Sequence, residues 1–344
     1  MRGYLLWFGL TSTATFAAVW LFAAFCPATY MPDTYLHEHV QLRQIATCEL
    51  GQVAIFGDSQ AKAAIVPRLL SVPTINLALA GTSPVETYFA VARAMQCPKV
   101  PRWVIIAHGA RAFDRHIGFW TQDSNEGFLS PNERNEVERA ASRLDDEGTI
   151  APPNDGLTGS IRDWLYTVWF PPLHFANLLD SGLGILRYGH NRAVLRQVAR
   201  SGGHALYGNG SGTNGVDTGY AVSDFEVRPL IDLYFDKTLN LLQKRGVVAI
   251  FLVVPVNQST HDAASVKALG QFAEYLQEKS EKYPGFHVAT GPMPCLPNEN
   301  FSTPAHMNAK GSALYSAQVD RLLRGVEAGT IAGMRDGPLQ GGCD

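Results

Sequence analysis

Val53-Ala54-Ile55-Phe56-Gly57-Asp58-Ser59-Gln60 decides the fold. A short apolar run stops at a glycine, and a helical pattern follows from about residue 61 to 70. The same grammar recurs along the chain. Residues 74–79 read as a second strand ended by Gly81, with Pro84 opening a helix to about residue 95. Residues 103–107 read as a third strand, residues 247–254 as a fourth stopped by Pro255, and residues 286–289 as a fifth. Helical patterns at 226–245 and 265–282 fit as crossovers, and 306–324 closes with a helix. Continuous apolar strands separated by helices describe a parallel sheet covered on both faces. The expectation is a doubly wound, mostly parallel, five-stranded α/β domain.

Between strands three and four lies an insertion of over a hundred residues, about 113–224. It holds a charged helical piece around 133–146, an aromatic run (Trp164, Tyr166, Trp169, Phe170) and a basic stretch at 187–200. A glycine-rich loop at 204–220 follows, containing Gly208-Asn209-Gly210-Ser211-Gly212. Structureless loops of this length are uncommon unless they serve a function. The reading is a helical insertion that caps the carboxyl edge of the sheet and shapes a cleft. Its aromatics form its own core, a sugar platform or a membrane contact. The tail 328–344, with five glycines, reads as flexible.

The composition excludes several classes. With 344 residues, 46% hydrophobic and 17% charged, the chain is globular rather than disordered or coiled-coil. A net charge of −3 gives no basic footprint for nucleic acid. No charged residue occurs between Arg2 and Asp33, and the stretch from Tyr4 to Cys26 is nearly all apolar. That run exceeds the 7–15 apolar residues of a signal peptide and matches the ~20 that cross a bilayer. Phe25 also stands where cleavage, or lipid attachment at Cys26, wants a small residue. Residues 1–32 are therefore expected to be an uncleaved anchor, with a signal peptide and a buried core helix as alternatives. Arg2 on one side and Asp33 and Glu38 on the other leave the N-terminus in the cytoplasm. The domain 33–327 then lies in the periplasm of a bacterial cell, on the inner membrane. Cys48 and Cys97 each precede a strand by several residues, so a parallel sheet brings them to one edge, where they bridge or stay free thiols. No cysteine–histidine spacing supports a zinc site.

Ser59 follows the first strand, at the carboxyl edge where open α/β sheets bind ligands and beside a helix N-terminus rich in unpaired N–H groups. It is either a nucleophile or a helix cap. His306, in His306-Met307-Asn308-Ala309-Lys310-Gly311, stands at a loop-to-helix junction near the end of the chain. A serine needs a base to react, and imidazole is the usual one.

These blocks resemble the SGNH (GDSL-type) hydrolase superfamily. Phe56-Gly57-Asp58-Ser59-Gln60 and Asn76-Leu77-Ala78-Leu79-Ala80-Gly81-Thr82-Ser83-Pro84 look most like its membrane-anchored bacterial members. Those include the alginate and cellulose O-acetylation proteins and the D-alanyl-lipoteichoic-acid biosynthesis protein. The likeness covers about residues 50–112 and 225–325. It implies Ser59 as nucleophile, His306 as base, and the N–H groups of Ser59 and Gly81 as an oxyanion hole, with Asp58 and Asn308 in support. No cofactor is implied.

Two positions depart from the family pattern. The family places an Asp three residues before the histidine, where this chain has Thr303. His306 is then oriented by a backbone carbonyl near Thr303, as a Ser–His dyad, or by another acid such as Glu299. The family's oxyanion-hole Asn after strand three is replaced by His108-Gly109-Ala110-Arg111. Either His108 or Arg111 supplies a donor there, or His108 caps the strand and Arg111 pairs with Asp114. The resemblance implies an O-acyltransferase, acetyl by preference, acting on an exopolysaccharide or cell-wall polymer. Its donor is a membrane-embedded acyltransferase or transporter. A carbohydrate or lipid esterase and a non-catalytic anchored scaffold are the other readings.

Overall fold

The computed structural model describes residues 2–114, 127–150, 172–220, 222–329 and 343. Five strands form one sheet: β1 (Val53–Gly57), β2 (Thr74–Asn76), β3 (Trp103–Ala107), β4 (Val248–Leu252) and β5 (Phe286–Val288). Their order is β2-β1-β3-β4-β5, and every neighbouring pair is parallel. The register sets Gly57 beside Ala107 and Ala107 beside Leu252, so the carboxyl ends of the three central strands are level.

Successive side chains of a strand point to opposite faces, and β1 divides its residues accordingly. Ala54 and Phe56 enter one apolar cluster, and Val53 and Ile55 enter another. The first cluster is roofed by α4 (Pro84–Ala94), α8 (Pro229–Lys244) and α9 (Val266–Lys282), through Phe89, Phe235 and Phe272. The second is roofed by α3 (Ser59–Ala64) and α10 (Ala309–Glu327), through Ala61, Tyr315 and Val319. Helices thus cover both faces, which is why the strands carry no polar alternation.

Element ends differ from the sequence expectation for local reasons. Helix α3 stops at Ala64 because Pro67 disfavours a helical Val66, and residues 67–69 make a 3-10 turn instead. Helix α10 begins at Ala309, since Asn308 caps it by accepting from the N–H groups of Lys310 and Gly311. His306 and Met307 instead pair antiparallel with Phe301–Thr303.

Helix α1 (Arg2–Phe25) includes a 23-residue apolar span, Gly3–Phe25, with mean hydropathy 1.6, exposed along most of its length and packed on the rest of the protein near its end, around Ala23. It is long and apolar enough to cross a membrane. Helix α2 (Asp33–Ala46) leads from it into the domain.

The insertion does not cap the cleft with helices among the described residues. Helix α5 (Pro131–Arg143) buries Val137, Ala140 and Ala141 in the first cluster, on a face of the sheet. Helix α7 (Tyr188–Arg200) buries Val198 against Val40 of α2 and Ala205. Their apolar stripes are consumed there, and among the described residues of the insertion it is the irregular glycine-rich segment that reaches the carboxyl edge, through Tyr220. The aromatic run Trp164, Tyr166, Trp169 and Phe170 lies outside the described residues.

Cys48 and Cys97 are disulfide-bonded, with Cα atoms 5.6 Å apart. A second bridge, Cys295–Cys343, has no forerunner in the sequence reading and ties the last part of the chain to the core. Most of the tail expected to be flexible, residues 330–342, lies outside the described residues. Cys26 carries a free thiol.

Candidate active site

The site grows from the turn that ends β1. Gly57 has φ of 152°, and a Cβ there would overlap the carbonyl of Ala107 on β3. Only glycine lets the chain turn so tightly against its neighbour. Asp58 caps α3, its Oδ1 accepting from the N–H groups of Gln60 (2.9 Å) and Ala61 (3.4 Å). Burial pushes the Asp58 carboxyl up to about 6, opposed by those two N–H donors and by Arg111. With Asp58 as cap, the Ser59 hydroxyl is left for other work.

That hydroxyl lies 2.8 Å from Nε2 of His306. The other ring nitrogen, Nδ1, lies 2.8 Å from the Thr303 hydroxyl, which also accepts from the His306 backbone N–H at 3.1 Å. Thr303 Oγ1 has two lone pairs. One takes the backbone N–H and the other fits an Nδ1–H, leaving Nε2 as the bare acceptor facing Ser59. That tautomer is the one a general base requires. The support for His306 is therefore the Thr303 side chain, not a nearby backbone carbonyl. Glu299 plays no part. It is fully exposed and forms an ion pair with Lys310 at 2.5 Å. Asn308, beyond its capping role, donates to the Glu299 carbonyl at 2.8 Å.

Burial lowers the His306 pKa to about 4, with Asp217 acting to raise it and Arg111 to lower it. The imidazole is neutral at physiological pH. The Tyr207 ring packs on it, centroids 4.7 Å apart.

Ser59, Gly81, Arg111, Tyr220 and His306 line one cleft of about 180 Å³. Gly81 has φ of 72°, and the loop before it is pinned by the Thr82 hydroxyl, which lies within hydrogen-bond distance of the carbonyls of Gly57 (2.9 Å) and Leu79 (3.0 Å). Among the described residues, neither the Ser59 nor the Gly81 N–H donates to a protein acceptor. Two unpaired donors flanking a nucleophile are what an oxyanion needs.

The two candidates after β3 separate. His108 is buried behind the site, its Nε2 2.9 Å from the Thr87 hydroxyl, its ring edge-on to Phe113, and it does not line the cleft. It is no oxyanion donor. Arg111 does line the cleft, and its Nη1 reaches both carboxylate oxygens of Asp217 at 3.2 Å, rather than pairing with Asp114. Asp217 is fixed in turn by its backbone N–H to the Thr260 hydroxyl (2.9 Å).

Sequence reasoning missed Tyr207, Asp217 and Tyr220. All three belong to the glycine-rich segment, whose fit against the histidine loop is the signal that could have found them. A Cβ on Gly208 or Gly210 would press on Thr303 or Ser302. The glycines let a second backbone lie flat on the loop that carries His306, and Ser302 Oγ donates to the Tyr207 carbonyl across the contact (2.5 Å). Tyr220 donates its hydroxyl to Gln60 Oε1 at 3.0 Å, closing the opposite wall.

No group of three or more His, Cys, Asp or Glu side chains suited to a metal occurs among the described residues. The arrangement sets a serine hydroxyl against a neutral imidazole, beside two free N–H donors, the groups that attack on a carbonyl and the resulting negative charge require. Comparison with protein-family models and with curated protein sequences finds no match to this chain.

Proposed function

We propose that this chain is a membrane-anchored serine O-acyltransferase of the SGNH type, which acetylates an exopolysaccharide or cell-wall polymer outside the cytoplasmic membrane. The observation that carries the reading is the 2.8 Å contact between Ser59 Oγ and His306 Nε2, at the carboxyl edge of a parallel sheet and beside the unpaired Ser59 and Gly81 N–H groups. The strand order and the helices on both faces support a doubly wound, SGNH-like domain.

In the first half-reaction, Ser59 Oγ attacks the acyl carbonyl while His306 Nε2 takes the hydroxyl proton. The oxyanion is held by the N–H groups of Ser59 and Gly81, the imidazolium returns the proton to the leaving group, and an acyl-serine remains. In the second, a sugar hydroxyl gives its proton to Nε2 and attacks the acyl-serine, restoring Ser59. Transfer prevails over hydrolysis when the acceptor displaces water from the cleft. The acyl donor in the cell is delivered by a membrane-embedded partner.

The test supplies the full-length protein in detergent with p-nitrophenyl acetate and soluble cello- or mannuronate oligosaccharides. Transfer requires that an oligosaccharide raise nitrophenol release and become acetylated. Release that ignores the sugars and yields only acetate identifies an esterase, and no release of any kind refutes the reading.

A further inference from the structure

The end of helix α1 is flanked by an apolar knob that the catalytic site does not use. Helix α6 (Pro172–Asp180) buries Leu178 with Ala23, Tyr30 and Met31, and Val19 and Trp20 of α1 pack on the same cluster. A tight turn follows, in which Gly182, Leu183 and Gly184 all have positive φ. Ser181 staples it, its hydroxyl donating to the Leu178 carbonyl and accepting from the Gly184 N–H. Gly184 sits against Phe22, Thr29 and Tyr30. The neck is fastened by Arg187 and His190 on Asp33 (2.7 and 2.9 Å), and by Asn191 on the carbonyls of Ala28 and Met31.

On its outer side this well-fastened turn exposes five large apolar side chains within ten residues. Relative exposures are 69% for Leu179, 51% for Leu183, 81% for Ile185, 76% for Leu186 and 53% for Tyr188. Apolar side chains grouped this closely on a surface mark an interaction site. Depth identifies what they meet. The 23-residue span of α1 is about 35 Å long at 1.5 Å per residue, against about 30 Å of hydrocarbon. Its last turn therefore lies at the membrane boundary, and the knob rests on Phe22 in that turn. Charge agrees. Residues 179–216 contain four arginines against one carboxylate, Asp180, an excess of positive charge that suits anionic headgroups.

Building on the reading of α1 as a membrane span, we infer that residues 179–188 form a second membrane contact, seated in the boundary of the leaflet from which α1 emerges. The occupant of this apolar surface is lipid. One helix alone leaves a domain free to swing and spin. Two contacts fix the height and direction of the Ser59 cleft over the bilayer, where an acyl group handed across the membrane arrives.

The test uses the full-length chain with Cys26→Ser, labelled under non-reducing conditions so that both disulfides persist. A fluorophore is placed at Ile185→Cys, at Phe16→Cys within α1, or at Val266→Cys on a distant exposed site. Each protein enters phosphatidylglycerol-containing nanodiscs, one copy per disc. Nitroxide-bearing lipids should quench positions 16 and 185, and aqueous iodide should quench position 266 several-fold more than position 185. If position 16 is quenched by lipid while 185 behaves like 266, the knob stands in water and the inference falls, with the anchor intact. A label at 185 shielded from both quenchers shows protein covering the knob and also overturns it. Position 16 escaping the lipid quencher refutes the anchor, and this inference with it.

Discussion

Replacing Thr303 with Val probes the least expected part of the site. Valine keeps the shape and the β-branching of a residue in the Phe301–Thr303 strand but removes the oxygen shared by His306 Nδ1 and the His306 backbone N–H. In the resting protein this unpairs two donors. In the transition state of the proposed reaction the imidazole becomes imidazolium, and its hydrogen bond to Thr303 becomes charge-assisted, roughly twice as strong as a neutral one. The differential loss is about 1–2 kcal/mol, or roughly five- to thirtyfold in the acylation rate. The assay is the burst of nitrophenol from p-nitrophenyl acetate with full-length protein, alongside Thr303→Ser, which restores the oxygen and should retain most of the rate. Acylation in Thr303→Val within twofold of the parent would refute the role of the hydroxyl, because nothing else touching Nδ1 would then matter.

Further outcomes follow from the same geometry. Acylation should stay level from neutral pH down to about 5 and fall as the pH drops through about 4, where burial has placed the His306 pKa; an inflection near 6.5 would contradict that burial. Stability has the matching sign. His306, His108 and His174 titrate near 4 when folded and near 6.5 when not. At these three sites the unfolded chain binds protons first, so their contribution to stability is complete above 6.5 and is lost as the pH falls toward 4; thermal denaturation of the parent against His108→Gln across that range reads it. Glu299→Gln should leave the burst within twofold, since the Glu299 side chain pairs with Lys310 at the surface and Asn308 reaches its backbone carbonyl, which the substitution keeps. Removing the Cys48–Cys97 bridge, 49 residues apart in sequence, should cost about 2–4 kcal/mol in denaturant unfolding, given the loop it closes.

The fold was legible where each strand is buried on both faces, because nothing in such a run competes with the apolar signal. Strand β4 reads as Val-Ala-Ile-Phe-Leu for that reason. The Ser59 turn was legible because Gly57, Asp58 and Ser59 each do a separate job in adjacent positions. The partner of His306 was not, since a threonine hydroxyl matching a ring nitrogen depends on a strand pairing that no spacing announces. Arg111 reads either as a donor to the site or as a partner of Asp114, three residues away; it lines the cleft, and its carboxylate arrives from Asp217, more than a hundred residues on. The Cys295–Cys343 bridge was missed because the last residues carry glycine punctuation rather than a periodic pattern.

The central claim is that Ser59 becomes acylated with His306 as its base. The most direct measurement is intact-mass spectrometry with peptide mapping of the full-length protein after brief exposure to p-nitrophenyl acetate, beside Ser59→Ala and His306→Ala. One added acetyl group on the peptide that carries Ser59, absent from both variants, is the predicted result. An unmodified protein, or an acetyl group that persists when Ser59 is alanine, would contradict it.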